Sequence, residues 1–169
     1  MSEASASPRA PWWKGKRGEW YVVVQVLVIL LAVFGPRTFP GWPEWGQPYS
    51  QVATIAGIVL MVLGGALALG GMVRLGPNLT PLPYPRDCSK LVETGPYTFV
   101  RHPIYSGVFF GAVGWALLVH GWLTLVYALL AFVFVDIKSR REEKWLQEKF
   151  GQSYADYRRR VHKLIPWVY

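Results

Sequence analysis

Two polar clusters stand beside apolar runs, and their residue types are suited to binding a small charged molecule. The first covers residues 91–107, LVETGPYTFVRHPIYSG, and leads from a proline-rich loop into an apolar run. The second consists of Arg140, Arg141, Glu142 and Glu143, just after the last apolar run. Charged and polar aromatic groups at a membrane boundary are costly to keep there without partners. We therefore expect the two clusters to meet and to hold a small charged cofactor.

The side chains in these clusters offer complementary chemistry. Glu142 can accept hydrogen bonds from an ammonium group or from hydroxyls. Tyr97 and Tyr105 present aromatic faces, which attract cations, and His102 offers a hydrogen bond. Pro103 suits the first turn of a helix, which makes His102 its cap and directs free N–H groups towards the site. Alone, such tyrosines and histidines are often interfacial anchors and such a glutamate is usually solvated, but their joint occurrence favours a site.

The elements that must position the clusters are apolar helices. The 169 residues are 52% hydrophobic and 15% aromatic, which is more than a soluble domain needs. Apolar runs occupy residues 20–34, 51–73, 104–119 and 122–137, and the second is long enough to span a bilayer by itself. We predict an all-α integral membrane bundle of about four transmembrane helices, in which a cytoplasmic loop and the C-terminal helices form the cofactor site.

Small residues predict how these helices pack. Gly64 and Ala68 share one face of the second run, where another helix can approach closely. Gly107 and Gly111 form a GxxxG face on the third run. Residues 120–121 are the whole join between the last two runs, so we expect a tight antiparallel hairpin there.

The chain divides into a cytoplasmic tail, residues 1–19, and a single membrane domain, residues 20–169. Loop 74–101 is too rich in proline for an ordinary helix, and we expect it to be functional because it leads directly into the first cluster. Gly151 is a plausible helix stop. Ser153 and Asp156 predict the capping box of one more helix, which lies on the bilayer surface or covers the site.

The distribution of basic residues predicts an orientation. All of the eighteen Lys and Arg residues except Arg37 fall on one side of a four-span topology, and the positive-inside rule makes that side cytoplasmic. We predict a multi-pass protein with both termini and the active site facing the cytoplasm and with the lipid bilayer as a partner. Because the basic residues flank apolar runs and form no single stripe, we predict no nucleic-acid partner. We also predict no metal, and the oligomeric state stays open.

The two clusters resemble the signatures of a known family. The residues that match its first signature are Leu91, Val92, Gly95, Tyr97, Arg101, His102, Pro103, Tyr105 and Gly107. Those that match its second are Glu142, Glu143, Leu146, Phe150, Gly151, Tyr154 and Tyr157. In order and spacing they resemble the isoprenylcysteine carboxyl methyltransferase family, which is similar to membrane phospholipid methyltransferases. The matched region is residues 79–169.

The resemblance implies a membrane methyltransferase that uses S-adenosylmethionine and releases S-adenosylhomocysteine. The residues that it implies as cofactor contacts are Ser89, Lys90, Leu91, Val92, Tyr97, His102, Pro103, Ile104, Tyr105 and Glu142. It also implies that a basic residue at the end of the last span orients the acceptor carboxylate. Lys138 stands where prenylcysteine enzymes have Arg, and Arg140 or Arg141 could substitute. No catalytic residue is assigned, because a carboxylate acceptor needs no general base.

These expectations lead to one main hypothesis and three alternatives. The main hypothesis is O-methylation of the carboxylate of a prenylcysteine-like or other lipophilic acceptor. An N-methyltransferase of a lipid amine is the variant within the same class. A reductase that uses NADPH on sterol-like lipids carries similar Arg-His-Pro turns, although such enzymes are generally longer. A non-enzymatic membrane scaffold with the same fold is the third alternative, and it predicts stabilisation by neither cofactor.

Overall fold

The computed structural model describes residues 18–82, 84 and 89–169, so most of the predicted tail, residues 1–19, lies outside the described residues. The helices are α1 (Glu19–Phe34), α2 (Tyr49–Leu75), α3 (Pro103–Leu118), α4 (Trp122–Phe150) and α5 (Gln152–Arg160), with 3-10 turns at Gly76–Asn78 and Gly95–Thr98. Within the described ranges there is no β-strand, only a parallel bridge between Val100 and His162. The prediction of an all-α fold is therefore confirmed.

Two segments have the length and composition of membrane spans. Tyr49–Asn78, with 30 residues, and Trp122–Phe150, with 29, meet both criteria, whereas Glu19–Phe34 and Pro103–Leu118 are apolar but shorter. No residue of α1 is buried, and both α1 and α2 expose many large apolar side chains. Exposed apolar surface of this extent marks an interaction site, and here it fits the hydrocarbon of a bilayer. The count of four spans stays a prediction.

Glycines bring the backbones of α2 and α3 into contact. A Cβ atom added to Gly57 would lie 2.6 Å from the carbonyl oxygen of Gly114. One added to Gly64 would lie 2.9 Å from the carbonyl oxygen of Gly107. Small residues allow this approach, which takes the place of hydrophobic burial where the surroundings are apolar. We call this line of close backbone contacts between α2 and α3 the seam. Because the first polar cluster leads into α3, the seam fixes the position of the cluster relative to α2.

The small-residue faces predicted for α2 and α3 are found at the contact between the two helices. A Cβ atom on Gly107 would lie 2.6 Å from the Cβ of Ala68, so close approach at Gly64 and Ala68 is confirmed. The position of a Cβ atom on Gly111 is open, with nothing within 4 Å. The backbone of Gly111 nevertheless faces α2, because its nitrogen lies 3.0 Å from the position of a Cβ atom on Gly64. Gly107 and Gly111 thus both lie at the contact with α2, as predicted, and the contact continues to Gly114, two helical turns after Gly107.

The seam gives a first testable prediction. The variant Gly64→Leu is expected to lower the free energy of unfolding by about 1–3 kcal/mol, since the new side chain must push α3 away. The matched control is Gly65→Leu, whose Cβ position has no atom within 4 Å. Thermal unfolding in detergent measures both variants. Equal losses in the two would show that Gly64 does not set the distance between α2 and α3.

The predicted hairpin between α3 and α4 is present, and α4 is longer than its apolar run. The rings of Phe109 and Phe132 lie 4.8 Å apart and roughly equidistant from the turn, so the helices run antiparallel. α4 continues to Phe150, which places the second polar cluster on the same helix as the last apolar run. It stops at Gly151, as predicted, where φ is +54°, a value that glycine adopts at little cost.

The start of α5 differs from the prediction. Its N-cap is Gly151 and no side chain caps it. Gln152 Nε2 instead donates to Asp156 Oδ1 at 2.8 Å. The predicted capping box from Ser153 is wrong, because the N-cap is Gly151, two residues earlier, and Ser153 lies inside the helix. Tyr154 and Tyr157 are buried, so α5 covers the interior with its tyrosine face.

Candidate active site

A cavity of about 320 Å³ lies where residues 78–82 and 89–92, the start of α3 and the C-terminal half of α4 meet. Its volume is within the range of small-molecule pockets. The predicted site residues that line it are Ser89, Lys90, Leu91, Val92, Tyr97, His102, Ile104, Tyr105, Lys138 and Glu142. The structure thus brings the two sequence clusters together around one space, while the roles of these residues as ligand contacts stay predictions.

Three of the predicted residues do not line this cavity. Pro103 is buried against α2, with its Cγ 3.0 Å from the position of a Cβ on Gly71. Arg140 Nε pairs with Asp136 Oδ2 at 2.7 Å. The guanidinium of Arg141 stacks 4.9 Å from the centre of the Trp145 ring. Neither arginine brings its charge into the cavity, so Lys138 is the predicted acceptor residue that the geometry favours.

A buried ionic network lies behind one wall of the cavity. Arg101 Nε donates to Glu143 Oε1 at 2.8 Å, and His102 Nε2 lies 3.2 Å from the same oxygen. The side chains of Arg101 and Glu143 are 9% and 8% exposed. A carboxylate can only accept, so Nε2 carries the hydrogen of this contact. The network therefore fixes the ring of His102 with Nδ1 on the side of Glu142, 3.9 Å from its Oε2.

The segment after α5 holds this network in place through the backbone. Arg101 N donates to His162 O at 2.8 Å, and His102 N donates to Lys163 O at 3.2 Å. The hydroxyl of Ser106 lies 2.6 Å from Leu164 O. Arg101 also donates through Nη1 to Val161 O. Residues 161–164 thus satisfy the polar groups of the turn that enters α3, where a helix N-terminus otherwise leaves donors without partners.

Glu142 and two aromatic rings form the polar wall that faces the cavity. The hydroxyl of Tyr105 donates to Glu142 Oε2 at 2.8 Å. The rings of Tyr105 and His102 are stacked, with centroids 5.5 Å apart and planes inclined by 12°. A carboxylate has about four acceptor positions, so Glu142 keeps acceptor capacity for a ligand. The wall combines a negative charge with aromatic faces, which suits a cationic group.

Three tyrosines close the opposite side. The hydroxyl of Tyr157 donates to Tyr97 O at 2.7 Å. Tyr154 is 1% exposed, and its hydroxyl has no well-aligned hydrogen-bond partner among the described residues. Burial raises the pKa of each of these tyrosines well above its usual value, and for Tyr154 the nearby Glu143 carboxylate adds to the effect. All three stay neutral, and the hydroxyl of Tyr154 lies beside the Glu143 carboxylate of the buried network.

Lys138 is buried at the membrane end of the cavity. It is 2% exposed, and its Nζ donates to Gln25 Oε1 at 2.6 Å and to Pro81 O at 3.2 Å. The Nζ also lies 5.1 Å from the centre of the Tyr105 ring. An ammonium has three donors, and the two acceptors that the structure describes here are both neutral. Lys138 therefore keeps a donor for an anionic ligand group, and the Glu142 carboxylate, about one turn further along α4, compensates part of its charge.

A second, apolar cavity adjoins this lysine. It has a volume of about 220 Å³ and lies between α1, α3 and α4. Its walls are apolar side chains, among them Val28, Trp115 and Phe134. Gln25 lines both cavities. The amide that holds Lys138 thus marks the junction between a polar space and an apolar one.

The sequence reasoning missed several members of this arrangement. Arg101, Glu143, Tyr154 and Tyr157 all belonged to the matched motifs but were not assigned to the site. Gln25 had a signal of its own, as the one polar residue within the apolar run 20–34. A polar residue inside an apolar span is a functional hypothesis by default, and that argument alone would have found it.

The fold and its cavities define a helical-bundle protein with a ligand site at one end of its apolar helices. The sequence model of the phospholipid methyltransferase family matches residues 52–153. The chain therefore belongs to the phospholipid methyltransferase family.

Proteins with similar sequences have names that are more specific than that of the family. Protein-S-isoprenylcysteine O-methyltransferase of Mus musculus is 32% identical over 130 residues, which are 75% of this chain and 45% of that protein. The probable protein-S-isoprenylcysteine O-methyltransferase of Oryza sativa subsp. indica is 30% identical over 152 residues, which are 88% of this chain and 76% of that protein. The resemblance that the motifs indicated is confirmed.

One solved structure shares the fold. It is that of the eukaryotic intramembrane Ras methyltransferase, an isoprenylcysteine carboxyl methyltransferase, with a TM-score of 0.61 and 23% identity. The likeness covers 96% of this chain and 55% of that chain. The chain thus spans about half the length of this protein and of the mouse relative, so the activity of the longer proteins comes to it only as a proposal.

Proposed function

We propose that the chain is an integral membrane enzyme that uses S-adenosylmethionine to O-methylate the carboxylate of a lipophilic acceptor. The observation that carries the proposal is the junction at Gln25 and Lys138. There a cavity with an acidic and aromatic wall meets an apolar cavity, and a buried ammonium stands between them. Family membership supports methyl transfer, and the two cavities offer separate room for a charged cofactor and for an apolar chain.

The residues of the first cavity fit the chemistry of S-adenosylmethionine. Its ammonium and ribose hydroxyls need acceptors, which Glu142 offers, and its carboxylate needs donors, of which the hydroxyl of Tyr154 in the cavity wall is one. Its sulfonium suits the aromatic faces of Tyr105 and His102. Apolar surface for the adenine comes from Leu91, Val92, Leu146 and Phe150. When bound, the cofactor supplies an activated methyl group on a good leaving group.

The chain itself contributes alignment and the exclusion of water. A carboxylate acceptor is already a nucleophile, so no residue has to remove a proton from it. Lys138 attracts that carboxylate, while Gln25 and the carbonyl of Pro81 hold the ammonium in one position. The apolar walls on the other side of Gln25 hold the acceptor chain and keep water out. Fixing two reactants in this way lowers the barrier because the entropy of bringing them together is lost on binding.

The same lysine bears on the identity of the acceptor. A positive charge favours a carboxylate over an amine, which is itself cationic until it loses a proton. Lysine is a point charge and lacks the planar fork with which arginine binds both carboxylate oxygens. The proposal therefore includes a prenylcysteine-like acceptor and other lipophilic carboxylates, with O-methylation ahead of N-methylation.

The proposed enzyme crosses the membrane four times, with its termini and its cofactor site on the cytoplasmic side. The shorter helices α1 and α3 are apolar and pack with the two longer ones. Lys90, Arg101 and Lys138 line the cofactor cavity itself. Basic residues of the C-terminal region line the neighbouring cavity that shares Arg101 with it. This agreement between charge and cavity supports the orientation.

The experiment that tests the cofactor is calorimetric binding of S-adenosylhomocysteine to the purified protein in detergent. We expect binding by the wild type and a loss of about tenfold or more in Glu142→Ala, because a charge-assisted hydrogen bond contributes about 1.5–3 kcal/mol. His102→Ala, which removes one aromatic face and one ligand partner, is expected to weaken binding as well. The matched control is Glu148→Ala, which removes an exposed carboxylate from the same helix outside the cavity.

The outcome separates the proposal from its rivals. No binding by well-folded wild-type protein would remove the cofactor from the proposal. Stabilisation by NADPH in that case would favour a reductase, and stabilisation by neither would favour a scaffold. Equal affinity of Glu142→Ala and the wild type would remove Glu142 from the site.

A further inference from the structure

A third cavity, of about 360 Å³, opens on the outer side of the buried network, and we name it the basic cavity. The basic side chains that line it are Arg101, Arg140, Arg158, Arg159, Arg160 and Lys163. Glu143 is the one acidic side chain among its lining residues, and Asp136 pairs with Arg140 and Lys163 at its edge. Neither the cofactor nor the acceptor of the proposed reaction uses this space, because both cavities described above lie on the other side of Arg101 and Glu143.

The exposed arginines of the basic cavity have donors to spare. Arg158 Nε is 3.9 Å from Glu143 Oε2, Arg159 Nη1 is 3.4 Å from Asp156 Oδ1, and both arginine side chains are mostly exposed. Each guanidinium has five N–H donors in a planar fork. The contacts described here use few of them, and none is the bidentate pair that a planar anion would form. The cavity is therefore complementary to a tetrahedral or planar anion such as a phosphate group.

The basic cavity lies along α4 at the level where a lipid headgroup would stand, beside the apolar part of the helix. The ring of Tyr169, which lines the cavity, lies 6.1 Å from the ring of Phe132 in the apolar part of α4. Its hydroxyl donates to Asp136 Oδ1 at 2.8 Å, and Lys163 pairs with the same carboxylate. One side chain thus reaches from apolar surface to the edge of the cavity. An anion bound there would stand directly beside the hydrocarbon boundary.

Exposed apolar side chains flank the same edge. Trp167 and Val168 are 78% and 75% exposed, and Phe99, whose ring is 6.3 Å from that of Trp167, is 52% exposed. Aromatic and aliphatic side chains beside arginines form an amphipathic surface of the kind that lies in a membrane interface. A soluble anion would use the arginines but would leave this apolar flank without a partner.

We propose that the basic cavity binds the phosphate of an anionic glycerophospholipid, with the acyl chains against the flank of Phe99, Trp167 and Val168. The charge of the cavity selects the anionic headgroup, and the apolar flank selects a lipid over a free phosphate. Basic side chains near an anionic membrane surface each add to affinity. Lipid binding at the basic cavity does not depend on methyl transfer, so an experiment can contradict one proposal without contradicting the other.

Native mass spectrometry of the purified protein with equal amounts of phosphatidylglycerol and phosphatidylcholine tests this proposal. We expect the wild type to retain phosphatidylglycerol preferentially and Arg158→Gln/Arg159→Gln to lose that preference by about tenfold or more. The matched control is Arg37→Gln/Lys144→Gln, which removes two charges outside the basic cavity. The single variant Arg159→Glu, at a side chain that is 76% exposed, repeats the test with the least risk to folding.

Each outcome of these experiments either supports or overturns the proposal of a lipid site. An unchanged preference in both cavity variants, or an equal loss in the control, would overturn the proposal. A separate arm titrates inorganic phosphate into lipid-free micelles and follows thermal unfolding. Stabilisation by phosphate that equals stabilisation by phosphatidylglycerol would assign the cavity to a soluble anion and would also overturn the assignment to lipid.

Discussion

Glu143→Gln is expected to lower the free energy of unfolding by about 3 kcal/mol and to abolish methyl transfer. The change keeps the size of the side chain but removes the charge that Arg101 and His102 share. Breaking a buried ion pair by neutralising one partner costs about 3–5 kcal/mol, because the remaining charge stays buried. The ring of His102 would also lose the contact that fixes its orientation. Thermal and chemical unfolding in detergent measures the first effect, and methyl incorporation measures the second.

The adjacent residue supplies the control for this prediction. Glu142 is 26% exposed on its side chain and holds one described hydrogen bond, from Tyr105. Glu142→Gln is therefore expected to weaken cofactor binding with little change in stability. The double variant Arg101→Leu/Glu143→Leu is expected to recover part of the stability, since it removes both charges together. Equal destabilisation by Glu142→Gln and Glu143→Gln would contradict the division of roles.

The different roles of these two glutamates show what the sequence can and cannot predict. Neighbouring positions on a helix point about 100° apart, so one of the pair faces the cavity and the other faces away from it. The motif places both glutamates at the site, but the rotation of α4 about its axis decides which one meets His102. That rotation follows from the packing of α4 against α3, which no local pattern contains.

The helices themselves were predictable because hydrophobic composition determines them. The bounds of α1 and α2 fall within two residues of the apolar runs 20–34 and 51–73, since a change in polarity ends a membrane helix as well as any cap. One local prediction was wrong. Ser153 was judged by its spacing to Asp156, whereas the turn at Gly151, whose N–H donates to Gln147 O at 3.0 Å, begins α5 at Gln152.

The contact between Gln25 and Lys138 could not be predicted from the spacing of residues in the sequence. The two residues are 113 positions apart, and nothing local to either predicts the other. Their partnership depends on α1 packing against α4. The sequence did show that each is a polar residue at an apolar run. Placing such a residue in apolar surroundings costs free energy, and a partner in the folded state reduces that cost.

The variant Lys138→Gln is expected to lower kcat/KM for a lipophilic carboxylate acceptor by about a hundredfold, while the affinity for S-adenosylhomocysteine stays within about twofold. Removing one partner of a desolvated charge pair costs about 2–5 kcal/mol, and a hundredfold loss corresponds to the lower part of that range. The cofactor is expected to be insensitive because its proposed partners are Glu142, His102 and the tyrosines. Lys138→Arg keeps the charge and is expected to retain more activity than Lys138→Gln.

The prediction about Lys138 is tested with a defined carboxylate acceptor. Incorporation of labelled methyl groups into an N-acetylated S-prenylcysteine, released again by base as expected for an ester, measures kcat/KM, and Lys144→Gln is the control for a lost positive charge elsewhere on α4. Because the ammonium of Lys138 repels a cationic amine, the wild type is expected to be slower with a lipid amine than with the carboxylate. A faster reaction of the wild type with the amine, together with an unchanged kcat/KM for the carboxylate in Lys138→Gln, would contradict O-methylation. A fall with the carboxylate and unchanged cofactor binding would assign Lys138 to the acceptor alone, as we expect if the two ligands bind on different sides of Gln25.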